Sequence, residues 1–174
     1  VALVPSCALM LKFEWPLILP DDPAIQKLAE ASFDITEYVV DIAKKEGLAE
    51  GLSPLDGGVA VHFACHARAQ NMGAKAADMM RLIPEADVAV IERCSGHGGS
   101  WGIKKENFET AIKVGRTAAR QSIQSGKKHI VSECPLAGMH LGQGIGRLAE
   151  QDTPAYKIAP HPIVLFARAY GIDV

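Results

Sequence analysis

Four short and nearly continuous apolar runs, rich in β-branched residues, constrain the fold of this chain most strongly. They lie at residues 1–4, 59–63, 87–91 and 129–131. Continuous apolar composition is typical of strands that are covered on both faces, as in parallel sheets. The segments between the runs carry helical spacing, so strands alternate with helices. We therefore predict an α/β fold, with an open parallel sheet of four or five strands and helices on both faces.

Capping residues, prolines and glycines mark the helix boundaries. Asp22 followed by Pro23 predicts one helix start, and Asp34 with Glu37 predicts a capping arrangement for a helix that ends at Gly47. Further helices are predicted from apolar residues at helical spacing over 67–83, 105–126, 135–148 and 161–170.

Length and composition favour one globular domain. The chain has 174 residues, of which 48% are hydrophobic, and a net charge of -2 without a basic stripe for nucleic acid. No apolar run is long enough for a membrane span, and the widely spaced cysteines do not resemble a secreted disulfide framework. We expect a soluble, cytoplasmic domain. Because the chain begins with Val1 on an apolar run, we also expect it to be the C-terminal part of a longer protein.

Each of the four cysteines lies just beyond the end of a predicted strand: Cys7, Cys65, Cys94 and Cys134. The carboxyl ends of parallel strands share one edge of a sheet, where open α/β folds bind their ligands. We therefore expect these thiols, which are distant in sequence and outside the helices, to converge there. Four converging thiolates are a typical ligand set for an iron–sulfur cluster, and structural zinc is the alternative. A single free cysteine is otherwise often only a small buried hydrophobe.

Glycines and histidines surround the cysteines. The loop with Ser95, Gly96 and His97 offers backbone amides to sulfur, and His66 and His97 are candidate ligands, hydrogen-bond donors or proton carriers. Gly138 begins a run of glycines at every fourth position of the helix after the last cysteine. That run permits either close approach of a bulky group or tight helix packing.

Other interpretations of the same residues stay open. His62 alternates with core residues and is a candidate for a hydrogen-bonded core histidine. The glycine-rich loop does not complete a dinucleotide-binding pattern, because Trp101 stands where the last glycine belongs. Thiol catalysis by Cys94, with His66 or His97 as base, leaves the placement of the other cysteines unexplained.

Three segments resemble the second cysteine-rich module of the CCG-domain iron–sulfur family. They read "HFACHARAQNMG", "RCSGHGGSWGIKKENF" and "SECPLAGMHL". That family includes the C subunit of anaerobic glycerol-3-phosphate dehydrogenase and the B subunit of heterodisulfide reductase, and the loop pattern from Gly96 to Phe108 is most similar to the former. The resemblance covers nearly the whole chain.

The resemblance implies electron transfer through an iron–sulfur cluster, of the 4Fe-4S type, within a larger complex. It implies a flavin dehydrogenase or other redox subunits as partners, with a membrane or quinone link on the inner face through such a partner. The chain departs from the family pattern at Ser95 and Ala137, where the family has cysteines. The alternative is a structural or partner-docking module that holds zinc or no metal.

Overall fold

The computed structural model describes residues 1–148 and 159–174. Its centre is a three-stranded parallel sheet in the order β2-β1-β3. The strands are β1 (Val59–His62), β2 (Val88–Ile91) and β3 (His129–Ser132). Val59 is in register with Val88 on one side and with His129 on the other. The predicted open parallel sheet is confirmed, but the predicted number of four or five strands is wrong for the part of the chain described.

The first apolar run accounts for the missing strand. Ala2 forms only an isolated parallel bridge with Asp34. Pro5 follows almost at once and starts helix α1 (Pro5–Leu9), because its fixed φ and missing N–H suit the first turn of a helix. A π-helical turn over Met10–Glu14 and helix α2 (Trp15–Ile18) continue the segment. Cys7 therefore lies within a helix and does not follow a strand, contrary to our prediction.

The capping residues predict the next two helices correctly. Helix α3 (Pro23–Glu30) begins at Asp22, whose carboxylate accepts from two backbone amides of the first turn. Helix α4 (Ile35–Lys45) begins with a complete capping box formed by Asp34 and Glu37. The remaining helices are α5 (Cys65–Ala69), α6 (Lys75–Arg81), α7 (Phe108–Gln124), α8 (Pro135–Leu148) and α9 (Pro162–Ala169).

The single helix predicted over 67–83 is in fact two helices. Asn71 has a φ of 54° and Gly73 a φ of 80°, so the chain leaves the right-handed helical region between α5 and α6. Asparagine and glycine are the residues that adopt this conformation at the lowest cost. The break leaves α5 with only five residues, and Cys65 is its first residue, contrary to our expectation that the cysteines lie outside the helices.

Helices cover both faces of the sheet, as predicted. On one face, Val59, Val61 and Val131 pack with buried residues of α6 and α9. On the other, Ala60 and Ile130 pack with α7 and α8. Within residues 1–148 and 159–174, none of the helices combines the length and the hydropathy that crossing a bilayer requires.

Candidate metal centre at the carboxyl edge of the sheet

Three cysteines follow three neighbouring strands. Cys65 comes shortly after β1, Cys94 after β2 and Cys134 after β3, and the strands are adjacent and parallel. All three residues therefore lie at the carboxyl edge of the sheet. This is the edge at which open α/β folds bind ligands.

Cys7 lies on a helix that packs against the segment after β1. Helix α1, which carries it, packs against α5, which begins with Cys65. The contact is fixed by Gln70, whose side-chain amide donates to the carbonyl oxygen of Pro5 at 3.2 Å. Lys12 donates to the carbonyl of the same Gln70 amide at 3.3 Å and to Glu37 at 2.7 Å. A polar network therefore holds the N-terminal helix beside the site.

The four thiols differ in environment. Cys7, Cys65 and Cys94 are exposed, whereas Cys134 is 7% exposed and packs with Phe63 and Ala64. Cys65 and Cys94 line one small cavity. Among the described residues, no group of three or more His, Cys, Asp or Glu side chains is arranged to hold a metal ion. The structure thus brings two thiols to one cavity, and a complete four-sulfur site stays a prediction.

The loop after β2 presents its backbone to Cys94. The amide of Gly96 donates to Sγ of Cys94 at 3.3 Å, a contact that favours a negatively charged sulfur. Ser95 is buried, and its Oγ lies 2.9 Å from Nδ1 of His97. The loop closes through a 2.7 Å hydrogen bond from the amide of Gly102 to the carbonyl oxygen of His97. The Cys94 loop (residues 94–102) is therefore ordered by its own backbone.

Glycine is required where this loop meets α7. A Cβ on Gly115 would lie 2.1 Å from the carbonyl oxygen of Ser95, and a Cβ on Gly96 would lie 2.1 Å from that of Ala111. Gly138 on α8 is constrained in the same way, since its Cβ would lie 2.3 Å from the carbonyl oxygen of Ala159. Of the two interpretations of Gly138, tight packing is the one that this contact supports.

Histidines cluster beside the loop. His97 is 6% exposed; burial lowers its pKa, and the nearby His140 and His66 lower the pKa further. His140 is also buried, stacks edge-on against Phe108 and leaves its Nε2 without a hydrogen-bond partner in the described residues. His66 is exposed. The rings of His66 and His140 are thus close enough to influence that of His97, and all three residues lie within six positions of a cysteine in the sequence.

His62 is a hydrogen-bonded core residue, as one interpretation of the sequence held. Its side chain is 2% exposed, and both ring nitrogens have partners. Burial lowers the pKa of His62, which keeps the ring neutral. The residue belongs to the scaffold of the site.

Glu133 is a site residue that our sequence analysis missed. The side chain is fully buried, and its Oε2 accepts a 3.1 Å hydrogen bond from the amide of Ala64, just before Cys65. Oε1 has no partner in the described residues. Burial raises the pKa of Glu133 to about 8, so the carboxyl is largely protonated at neutral pH. An acidic residue directly between a buried strand and a cysteine is the sequence signal that could have identified it.

The types of donor atom at this edge, thiol sulfur and imidazole nitrogen, suit a soft metal or an iron–sulfur cluster. Three of the thiols and the imidazole of His66 are exposed, and the amide of Gly96 donates to one of these sulfurs. Thiol sulfur and imidazole nitrogen match iron and zinc, whereas hard cations prefer carboxylate oxygen. The residues present therefore fit thiolate ligation in their chemistry.

The chain is similar to three groups of curated proteins. It is 26% identical over 171 residues to the C subunit of the anaerobic glycerol-3-phosphate dehydrogenase of Escherichia coli, a match that covers 97% of this chain and 40% of that protein. It is 27% identical over 121 residues to an iron-sulfur protein of Methanocaldococcus jannaschii, covering 68% of this chain and 23% of that one. It is 30% identical over 108 residues to lactate utilization protein A of Bacillus cereus, covering 57% and 43%. The predicted resemblance to CCG-domain iron–sulfur proteins is confirmed.

The match has defined limits. The chain spans about two fifths of the length of the dehydrogenase and lactate utilization relatives. No family model matches it, and no solved structure matches it significantly. The expectation that it is one module of a longer protein stays a prediction.

Proposed function

We propose that the chain is an iron–sulfur electron-transfer module of a dehydrogenase or heterodisulfide-reductase-like complex. The observation that carries the proposal is the position of Cys65, Cys94 and Cys134 directly beyond three adjacent parallel strands. Relatives named as a dehydrogenase subunit and as an iron-sulfur protein support the same conclusion. Sulfur donors gathered at one sheet edge are suited to a cluster that exchanges electrons with a docked partner.

The proposed ligands are the four cysteines, Cys7, Cys65, Cys94 and Cys134, around a 4Fe-4S cluster. When bound, such a cluster supplies a one-electron carrier. The Gly96 amide donates to Cys94, an interaction that stabilises negative charge on sulfur. Ser95 and His97 belong to the Cys94 loop, and His66 lies close enough to influence His97; together they set the polarity of the site. Gly138 allows α8 to pack closely.

The partners that we propose are redox subunits, a flavin dehydrogenase among them. A membrane or quinone link on the cytoplasmic face then comes through such a partner. The name of the Escherichia coli relative, a subunit of an anaerobic dehydrogenase, supports this assignment.

Anaerobic purification with iron and sulfide analysis and a visible spectrum tests the proposal. We expect stoichiometric iron and sulfide in the wild type and their loss in Cys94→Ser and Cys134→Ser. Ser100→Ala, in the same exposed loop, is the matched control and should retain both. Cys7→Ser tests whether the helix-borne thiol is a ligand. A folded, colourless and metal-free wild-type protein would overturn the proposal.

The second candidate is a non-redox structural or partner-docking module with zinc or no metal. The described residues contain no group of three donors arranged to hold a metal ion, an observation that favours the metal-free form of this candidate over its zinc form. Zinc without sulfide in the purified protein would select the zinc form. The third alternative is a thiol enzyme based on Cys94, with His66 or His97 as base. It requires a base at the sulfur, and the hydrogen bond that Sγ of Cys94 accepts in the described residues comes from the amide of Gly96.

A further inference from the structure

We propose that the cavity between Cys65 and Cys94 binds the oxyanion end of a small ligand through Arg68 and Arg93. Both thiols and both arginines line this cavity, together with Ser95. Its volume is about 70 Å³. Pockets that enclose whole drug-sized ligands measure about 300–1,000 Å³, so this cavity admits a head group only.

The two guanidinium groups are available for a ligand. Both arginines are exposed, and within the described residues neither forms an ion pair; Arg93 donates only to the backbone carbonyl of Glu92, at 3.0 Å. Other arginines of the chain do pair with carboxylates: Arg81 with Asp78 and Arg147 with Glu109. A guanidinium matches a carboxylate or phosphate with two parallel hydrogen bonds, and two of them at one cavity favour an anion.

The backbones that carry the arginines are held in place. The carbonyl oxygen of Arg93 accepts a 2.9 Å hydrogen bond from the buried ring of His62. The amide of Arg68 donates to the carbonyl oxygen of Ala64, the residue that precedes α5, at 3.0 Å. Because both main chains are fixed, only the side chains must be ordered when an anion binds, which lowers the entropic cost of binding.

The inference goes beyond the proposed function, since anion binding next to the two thiols requires no cluster. It names a class of ligand, a small molecule ending in a carboxylate or phosphate, that is brought within reach of the sulfur atoms. Its failure and the failure of the cluster proposal are therefore separate results.

Alkylation of the chelator-treated, folded 174-residue chain with iodoacetate or iodoacetamide tests the site directly. Both reagents alkylate thiols by the same reaction, but iodoacetate is an anion and iodoacetamide is neutral. Peptide mass spectrometry measures the alkylation rates at Cys65 and Cys94. The reference is the rate ratio of the same chain unfolded in urea. We expect the ratio of iodoacetate to iodoacetamide to rise about fivefold on folding, and to return to the reference value in the double variant Arg68→Gln/Arg93→Gln.

The matched control is Arg81→Gln, which removes an exposed guanidinium remote from the cavity and should keep the wild-type ratio. Equal ratios in the wild type and in the double variant would overturn the inference.

A second experiment applies when the thiols hold a metal and cannot be alkylated. Calorimetric titration with malonate and, separately, with inorganic phosphate measures the affinity of the chain for each anion. We expect at least one to bind and the double variant to bind it about tenfold more weakly. Binding of neither anion would also overturn the inference.

Discussion

The buried imidazole of His62 donates from Nε2 to the carbonyl oxygen of Arg93, 2.9 Å away. Its Nδ1 lies 2.9 Å from the Oγ of Ser132. Because a carbonyl oxygen only accepts hydrogen bonds, Nε2 carries the proton of the neutral ring, and Nδ1 accepts from the serine hydroxyl. One side chain on β1 thus connects the segments that lead into Cys94 and Cys134.

Replacement of His62 by phenylalanine should destabilise the fold. The change keeps the ring volume but leaves the Arg93 carbonyl and the buried Ser132 hydroxyl without this partner. An unsatisfied buried polar group costs about 1–3 kcal/mol, so we expect a loss of that order in the free energy of unfolding, measured with urea. His129→Phe, at a more exposed ring bonded to Asp56, is the control. Equal losses in the two variants would contradict the assignment.

The same variant should change how stability depends on pH. Burial lowers the folded-state pKa of His62 below its ordinary value of 6.5. The unfolded chain therefore binds a proton more readily, and the stability that the neutral ring provides above pH 6.5 is lost as pH falls through the folded-state pKa. We expect the difference in unfolding free energy between wild type and His62→Phe to shrink between pH 8 and pH 5. A constant difference would show that the ring does not titrate this way.

Glu133 should contribute a pH dependence of the opposite sign. Its folded-state pKa is raised from 4.5 to about 8, so between these values the native state holds a proton that the unfolded state has released. Stability therefore falls as pH rises through this window. In the metal-free chain, Glu133→Gln should be similar to wild type at pH 4.5 and more stable than wild type at pH 8.5, by on the order of a few kcal/mol.

Urea unfolding at several pH values measures the Glu133 effect. Glutamine retains an oxygen that accepts from the Ala64 amide, so the substitution isolates the charge from the hydrogen bond. Glu92→Gln, at an exposed carboxylate, is the control and should leave the pH profile unchanged. Parallel profiles for wild type and Glu133→Gln would contradict the raised pKa.

Two glycine-to-alanine substitutions on helices should act in opposite directions. At Gly115 the new methyl group meets the Ser95 carbonyl oxygen at 2.1 Å, and a backbone atom cannot move aside without shifting the Cys94 loop. Overpacking of this kind costs about 1–3 kcal/mol or more. At exposed Gly146 the new methyl group meets no atom of the described residues within 4 Å, and alanine is favoured in a helix by up to about 1 kcal/mol.

Thermal and urea unfolding of the two glycine variants check this prediction. Gly115→Ala should lower the midpoint and Gly146→Ala should raise it slightly. A stable Gly115→Ala protein would mean that the loop and α7 are not in backbone contact.

Local signals predict much of the fold. The capping box of Asp34 and Glu37 and the apolar run at β1 act within a few residues, so the sequence alone identifies α4 and the central strand. The run at residues 1–4 has the same composition, but Pro5 starts a helix before the run can extend into a strand. The spacing of apolar residues does not predict the helix break at Asn71 either, because the break depends on a left-handed backbone conformation.

The site is predictable only to the extent that topology determines it. The order of strands brings Cys65, Cys94 and Cys134 to one edge, which the alternation of strands and helices predicts. The position of Glu133 involves a hydrogen bond from Ala64, which is distant in sequence, and the local sequence pattern cannot predict such a contact. Distances between sulfur atoms depend in the same way on side-chain packing.

Because Cys134 is buried and the other three cysteines are exposed, the four thiols differ in their susceptibility to oxidation. Dissolved oxidants encounter the three accessible sulfurs first, while the one packed against Phe63 is shielded by its apolar neighbours. Oxidation in air therefore affects the exposed thiols of Cys7, Cys65 and Cys94 first and that of Cys134 last. A partly oxidised chain therefore keeps the thiol of Cys134 for longest.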